Sequence, residues 1–561
     1  MIGGRPGLWL AIGLTVFTAF AFRLWGLGSS SITHPEIYAP GITLPEFVTQ
    51  PIARTSVSTI VRSTLLTDNH PPGYYLLALP WSQVFGTGLT ALRMPAALIG
   101  ALTTLLLLLA YWKREGRFVA MVAATWLALH GTHVLWSRNA RMWALSAAMA
   151  VVSVWALQEL RNRYRFGWAL AYVGSLTVGL WTEYTFWPVL AAQLLSEVIH
   201  SARSEQPSPV VGLQGLAISL GSPVFVFLLS RLGSSAYLEA PAGHHLEAFA
   251  AFGSWFDMDQ VATWGVRGLA LRLLLVSGGA LLMGLGAWRG PALSDAGSPA
   301  RTRSNRIELI LWLSLFWPAL LIWIWREQPF DEAYPVRTVT LAIPVVVAAG
   351  YSVFSRGWPV LRGLLRRLAG LFPFRQLGAD VVVAVAVVPF VLLLAVSPVM
   401  PAVAPRSMLV LVPFQLVLAA RGLAALARGP AARAVAVAGI VLIGAASSIL
   451  AMNAPTPRDY QGLAAAITQQ KTSSDLFVVE DQWYATPVLY YLGADVIESR
   501  EARVLSDPSE LDRISAARIW LLKFDGLPDN QGALLEQHRY RAIRSFSVRG
   551  AEARLFERSA P

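Results

Sequence analysis

Long stretches without Asp, Glu, Lys, Arg or His constrain this chain more than any other feature. They include Met94–Trp112, Leu273–Trp288, Leu309–Trp325, Thr338–Ser355, Val381–Pro405 and Ala434–Pro457. Most approach the ~20 residues that a helix needs to cross ~30 Å of hydrocarbon. The chain has 561 residues, 55% hydrophobic and 14% charged, which is too apolar for an ordinary soluble domain and too long for a single span. A polytopic α-helical membrane protein follows. Spans are predicted near 7–25, 89–112, 118–136, 141–160, 167–183, 186–200, 209–230, 263–288, 307–325, 336–354, 379–398, 407–427 and 434–453, about thirteen transmembrane helices.

The formal net charge of +12 invites a nucleic-acid reading, but its distribution argues against one. Basic clusters occur at Lys113/Arg114/Arg117, Arg161/Arg163/Arg165, Arg301/Arg303/Arg306 and Arg362/Arg366/Arg367/Arg375. Each lies in a short connection between apolar runs, where cytoplasmic retention places Lys and Arg. Arg5 precedes the apolar stretch Leu8–Phe22 like a signal sequence, yet no small-residue cleavage site follows. It reads as an uncleaved first span. With the N-terminus in the cytoplasm, all four clusters become cytoplasmic, and an odd number of spans puts the C-terminus outside. A bacterial cytoplasmic membrane is the expected location. There is no cysteine, which excludes disulfides, thiolate metal sites and a Cys nucleophile.

This topology leaves long outer loops at about 28–88 and 231–262, with shorter outer segments between other spans. In the first loop, Val57, Ile60, Val61, Thr64 and Leu65 share one helical face within Thr55–Leu66. That suits a short helix on the membrane surface or a loop helix packed on protein. Residues 1–455 form the membrane domain, including the 28–88 loop. Residues 456–561 differ, with frequent charges and short apolar runs. Helix is predicted over Asp459–Gln470 and near 483–492 and 530–538, and strand over Leu476–Glu480 and Ile519–Phe524. Ser545–Arg549 and Ala553–Glu557 could pair as a hairpin across Gly550. A small extracytoplasmic α/β domain results, with no P-loop and no GxGxxG.

The chemistry-bearing residues cluster in outer segments. Glu36 lies just beyond the first span, in Thr33-His34-Pro35-Glu36-Ile37-Tyr38. Asp68 and His70 stand at the far end of the same loop, in Asp68-Asn69-His70-Pro71-Pro72-Gly73-Tyr74-Tyr75, where two prolines stiffen the backbone. A carboxylate there can act as a general base, ligate a metal or simply be solvated. The turn Ser137-Arg138-Asn139-Ala140-Arg141-Met142-Trp143 puts two arginines outside, against the general bias. A guanidinium fork suits phosphate, and headgroup contact or a structural ion pair is the plainer alternative. Glu183 and Tyr184 occupy a polar break between two apolar helices, where a polar group faces a cavity or a partner. Arg337 and Arg406 begin spans in similar contexts, Pro335-Val336-Arg337-Thr338 and Pro405-Arg406-Ser407-Met408. His244 and His245 lack a third ligand at metal spacing.

Together, these segments resemble a family. His34-Pro35-Glu36-Ile37-Tyr38, the Asp68–Tyr75 stretch, Leu92-Arg93-Met94-Pro95, the Ser137–Leu145 turn and Pro405-Arg406 with Arg421-Gly422-Leu423 are similar to GT-C fold glycosyltransferases of the bacterial protein mannosyltransferase and aminoarabinose transferase superfamily. The resemblance covers about 1–160 by motif and the remainder by architecture. It implies inverting transfer of a sugar from a polyprenyl-phosphate carrier to an acceptor (protein, lipid or glycan) at the outer membrane face. The first-loop acid would be the general base, and that position here is Glu36. Asp68, His70, Tyr74, Arg138, Arg141, Glu183, Tyr184, Arg337 and Arg406 would contact substrate, with the arginines on the donor phosphate. Many members carry Asp or an Asp-Glu pair where this chain has a lone Glu after Pro35. That argues against a paired-acid metal site, although a divalent metal stays open. The alternatives are a transporter or flippase for a lipid-linked or anionic substrate, and a membrane scaffold using its outer domain for protein contacts.

Overall fold

The computed structural model describes residues 6–43, 53–66, 68, 70–202, 208–231, 281–283, 285, 351, 354, 357–363, 366, 380–396, 406–453, 456, 458–472, 474–479, 482–493, 502–503, 516–525 and 530–559. Arg337, His244, His245 and most of the spans expected at 263–288, 307–325 and 336–354 lie outside them. The chain divides into two compact units. The first comprises Met1–Trp25, Asn69–Tyr74 and Ala96–Asn453; the second comprises Gly26–Asp68, Tyr75–Pro95 and Ala454–Pro561. The first outer loop is therefore grouped mainly with the C-terminal residues.

The first unit is helical. It contains α1 (Pro6–Leu24), the C-terminal part of α4 (Leu89–Trp112), α5 (Gly116–Ala128), α6 (Gly131–Ser137), α7 (Trp143–Asn162), α8 (Phe166–Thr182), α9 (Phe186–Ser201), α10 (Pro209–Arg231), α11 (Val381–Val396), α12 (Val412–Leu426) and α13 (Pro430–Met452). Among the described residues, α1, α4, α7 and α13 are long and apolar enough to cross a membrane. The interior is built on small residues, such as Ala144, Ala147, Ala148 and Ala150 of α7 and Ala120, Ala123 and Ala124 of α5, all buried. Small side chains let helix backbones approach closely in an apolar medium. Gly100 of α4 shows how closely: a Cβ there would stand 2.2 Å from Ser137 Oγ of α6.

The single span expected over 118–136 is instead two helices, α5 and α6, bent by 55° at Leu129–His130. A broken helix in an apolar setting exposes carbonyls that need donors. Arg23, fully buried, supplies them. It donates from Nη1 to Ala128 O (3.1 Å) and from Nη2 to Leu127 O (3.1 Å), and its Nη2 lies 2.8 Å from His133 Nδ1. His130 Nδ1 accepts the His133 amide and caps α6 (3.2 Å). Both ends of α6 are thereby tied to α1, because Arg138, just past its C-terminus, donates to the carbonyls of Phe22, Arg23 and Trp25.

The second unit holds a 3-10 turn (His34–Tyr38), α2 (Val57–Leu66), most of α3 (Gly73–Phe85), the start of α4 and an α/β domain. The sequence pattern predicts α2 but hides α3, whose run is interrupted by Pro80. The α/β domain comprises α14 (Tyr460–Thr468), β1 (Leu476–Val479), α15 (Gln482–Leu492), β2 (Ala502–Arg503), β3 (Arg518–Phe524), α16 (Asn530–Gln537), β4 (Tyr540–Val548) and β5 (Ala551–Arg558). Its five-stranded sheet has the order β2-β1-β3-β5-β4. β1 runs parallel to β2 and β3, and β5 antiparallel to β3 and β4. The period of two sorts side chains to two faces. Phe477, Val479, Trp520, Leu522, Phe524 and Leu555 pack with α14 and α15, and Val478, Ile519, Leu521 and Phe556 with Leu535 of α16. The hairpin turns at Gly550 (φ 69°), as its sequence suggests, and extends further in both strands.

Candidate functional site

Glu36 sits in the 3-10 turn that Pro35 helps to set. Its carboxylate folds back on its own turn, accepting from the Thr33 amide (2.9 Å) and the Thr33 hydroxyl (3.1 Å) at Oε2. Arg93, at the start of α4, grips it bidentately: Nε to Oε1 and Nη2 to Oε2, both 2.8 Å. The other Arg93 contacts reach the segment just before the turn: Leu27 O (2.9 Å), Ser30 O (3.1 Å), Ser30 Oγ (2.9 Å) and Ser31 O (3.0 Å). Glu36 is 0% and Arg93 3% exposed. A matched, buried fork of this kind fixes the loop to the helix. The same engagement crowds Oε2 with three donors, while Oε1 accepts from Arg93 Nε.

Asp68 is paired as well. Arg54, buried, donates to Asp68 and to Tyr38 O (2.5 Å) and stacks over the Tyr75 ring at 3.9 Å. Burial opposes the Arg54 charge, but Asp68 and Tyr75 outweigh it and hold this guanidinium above its ordinary pKa. His34, beside Glu36, lies with its Nε2 3.0 Å from the Tyr38 hydroxyl and its ring centroid 5.3 Å from that of Tyr484.

In the first unit, four sequence segments converge. Glu183 caps the end of α8, in the polar break before α9, and is buried. The Arg141 and Arg406 guanidiniums both act electrostatically on its carboxylate, and the hydroxyls of Thr185 and Ser146 lie beside it. Arg141 is 5% exposed and lies 5.8 Å from the centroid of the Trp143 ring. Arg406, exposed, begins the short 3-10 helix Ser407–Val410. The His70–Tyr74 segment reaches the same break, since a Cβ on Gly73 would stand 2.5 Å from Trp181 O. That contact leaves room only for glycine. Tyr74 is buried, and Tyr184 follows Glu183 half-buried.

Arg141, Glu183 and Arg406 are thus brought together, with Tyr74 and Tyr184 on the adjoining segments. Arg138 points instead at the C-terminus of α1, where its donors close a helix end. The sequence shows Arg93 only within the Leu92–Pro95 segment, with no site role, and offers no sign of Arg54. Each is a loop acid's partner at a separation, 57 and 14 residues, that no local pattern reveals. Among the described residues, no group of three or more His, Asp or Glu is arranged to hold a metal ion. Glu36 and Asp68 each face an arginine rather than a second carboxylate.

No family model matches the chain, and no curated protein matches it. Among solved structures it is similar to ArnT from Cupriavidus metallidurans bound to undecaprenyl phosphate, at 14% identity over 98% of both chains, with a TM-score of 0.45. It is also similar to the archaeal oligosaccharyltransferase AglB from Archaeoglobus fulgidus in complex with an inhibitory peptide and a dolichol-phosphate. There the identity is 11% over 98% of this chain and 74% of that chain, with a TM-score of 0.47. Likenesses this weak leave the functional assignment to the residues themselves.

Proposed function

We propose that this chain is an inverting glycosyltransferase. It moves a sugar from a polyprenyl-phosphate carrier to an acceptor at the outer face of the bacterial cytoplasmic membrane. The observation that carries the reading is the Arg141–Glu183–Arg406 cluster. Two guanidiniums acting on one carboxylate form a preorganised cationic site, and a carrier phosphate is the anion that an apolar chain of this kind would meet. The acceptor oxygen attacks the anomeric carbon. The bond from that carbon to the phosphate oxygen breaks, its electron pair stays on phosphate, and the arginines stabilise the growing charge. The acceptor proton passes to a base. The motif resemblance gives that role to Glu36, whose carboxylate is oriented by Arg93 and Thr33.

The basic residues between apolar runs support an outward-facing loop and C-terminal domain. A metal fits poorly, because the loop acids are matched to arginines. The α5–α6 break favours a second reading, a transporter, since interrupted spans line transport sites. Product analysis separates the two. Membranes containing the protein, supplied with polyprenyl-phosphate sugars, are analysed by mass spectrometry. The enzyme reading expects acceptor mass increased by one sugar and free polyprenyl phosphate. Movement of intact donor without cleavage supports the transporter.

A further inference from the structure

The C-terminal α/β domain also holds the loop that carries Glu36. Ile32 N–H donates to the Tyr491 hydroxyl at 2.7 Å, and Gln461 N–H donates to Ser31 Oγ at 3.3 Å. Tyr490, its neighbour on α15, donates to Thr87 O at 2.9 Å, just before α4. Tyr484, one end of the same helix, sets its ring against His34. Arg458 in turn lies over the Tyr484 ring at 4.2 Å and donates to Asp525 O at the end of β3. Helix α15 therefore touches the Glu36 turn on its N-terminal side through Tyr491 and on the turn itself through Tyr484. Through Tyr490 it also reaches the connection that leads to Arg93. The core of the α/β domain holds that helix in place, with Ala485, Val488 and Leu489 buried against the sheet.

We infer that Tyr491 is a positioning residue: the α/β domain, through α15, sets the backbone of Ser31–Tyr38 and with it the orientation of Glu36 toward Arg93. The sequence gives the domain no catalytic motif, and this assigns it a role in the reaction by geometry. The inference rests on the reading of Glu36 as the acid of a glycosyltransferase, but the loop contact can be tested without turnover. Tyr491 suits the task chemically. Burial raises its phenol above the ordinary value, so it stays neutral and offers oxygen lone pairs to the Ile32 amide at physiological pH. Its aromatic body packs whether or not the hydroxyl is present, so Tyr491→Phe removes the hydroxyl's contacts with the Ile32 amide and the Ser31 side chain and little else.

The test is amide hydrogen exchange of the intact protein in detergent, read on peptides covering 31–39. Tyr491→Phe should speed exchange at Ile32 and its neighbours roughly 2- to 10-fold, the effect of one hydrogen bond. Strands β3 and β5 should be unchanged. Tyr540→Phe is the control, since its hydroxyl donates to Ala516 O elsewhere in the domain at 2.9 Å, and it should leave 31–39 unchanged. Loop exchange that ignores Tyr491→Phe, or that responds equally to Tyr540→Phe, overturns the inference. With polyprenyl-phosphate sugar as donor, Tyr491→Phe should lower kcat and leave donor KM alone. Added to Glu36→Gln it should cause no further loss. A rise in donor KM with kcat unchanged, or full additivity with Glu36→Gln, also overturns it. If the loop responds but the wild type transfers no sugar, the proposed function fails and the positioning contact stands.

Discussion

The Glu36–Arg93 fork and the Arg141–Glu183–Arg406 cluster use the same two side-chain types to different ends. In the fork, one arginine meets one acid, and the rest of its donors are taken up by carbonyls and a hydroxyl of the segment just before the Glu36 turn. Both partners are closed to solvent. In the cluster, two arginines share one acid, and Arg406 reaches the surface. The first arrangement balances charge and fixes backbone. The second keeps cationic character near solvent, which is what an incoming phosphate requires. Arginine by itself therefore says little about phosphate binding; its ratio to acids and its exposure say more.

The largest effect should come from breaking the fork. Arg93→Met or Glu36→Leu alone leaves a buried charge unmatched and should cost about 3–5 kcal/mol. The double variant should recover most of that loss, as thermal unfolding in detergent would show. Equal loss in the double variant would mean that the pair contributes more than matched charge. Next, Arg406→Ala and Arg141→Ala should each reduce transfer about 10²- to 10³-fold. Arg406→Ala should barely move the unfolding midpoint, since the residue is exposed, and a midpoint shift as large as that of Arg93→Met would erase the contrast. Arg138→Ala should cost about 1 kcal/mol by uncapping α1, with activity per folded molecule preserved. Selective loss of donor binding in that variant would return Arg138 to the site.

The smallest effect belongs to a half-buried pair. Glu552 on β5 accepts from Arg554 and Ser545, and these contacts lower its pKa, Arg554 first and against some burial. A carboxylate lowered on folding stabilises above its unfolded value, near pH 4.5. That contribution fades as pH falls through the folded value. The pH dependence of stability in Glu552→Gln should therefore be slightly shallower below that point. Identical acid profiles for variant and wild type would show that the pair adds nothing on folding.

Much of this organisation was legible in the chain. Apolar runs locate α1, α4, α7 and α13, short apolar segments locate β1 and β3, and the Gly550 turn locates β4 and β5. Glu183 stands out because a carboxylate between two apolar helices needs a partner, whereas its grouping with Arg141 and Arg406 is tertiary and not legible in the sequence. Other features were hidden for physical reasons. Arg93 stands in the Leu92–Pro95 motif, but its pairing with Glu36 is hidden because the partner lies 57 residues away. Pro80 disguised α3. The α5–α6 bend falls inside an apolar run, although His130-Gly131, a cap and a weak helix former, marked the place. Burial also separates Glu36 from the solvated acid that its loop position suggests.

The central claim is that the cluster binds a carrier phosphate. Its most direct measurement is binding of undecaprenyl phosphate to the purified protein by native mass spectrometry, comparing wild type, Arg141→Ala, Arg406→Ala and Arg138→Ala. Binding should weaken at least 10-fold, about 1.4 kcal/mol, in Arg141→Ala and Arg406→Ala and persist in Arg138→Ala. Undiminished binding in both Arg141→Ala and Arg406→Ala would contradict it.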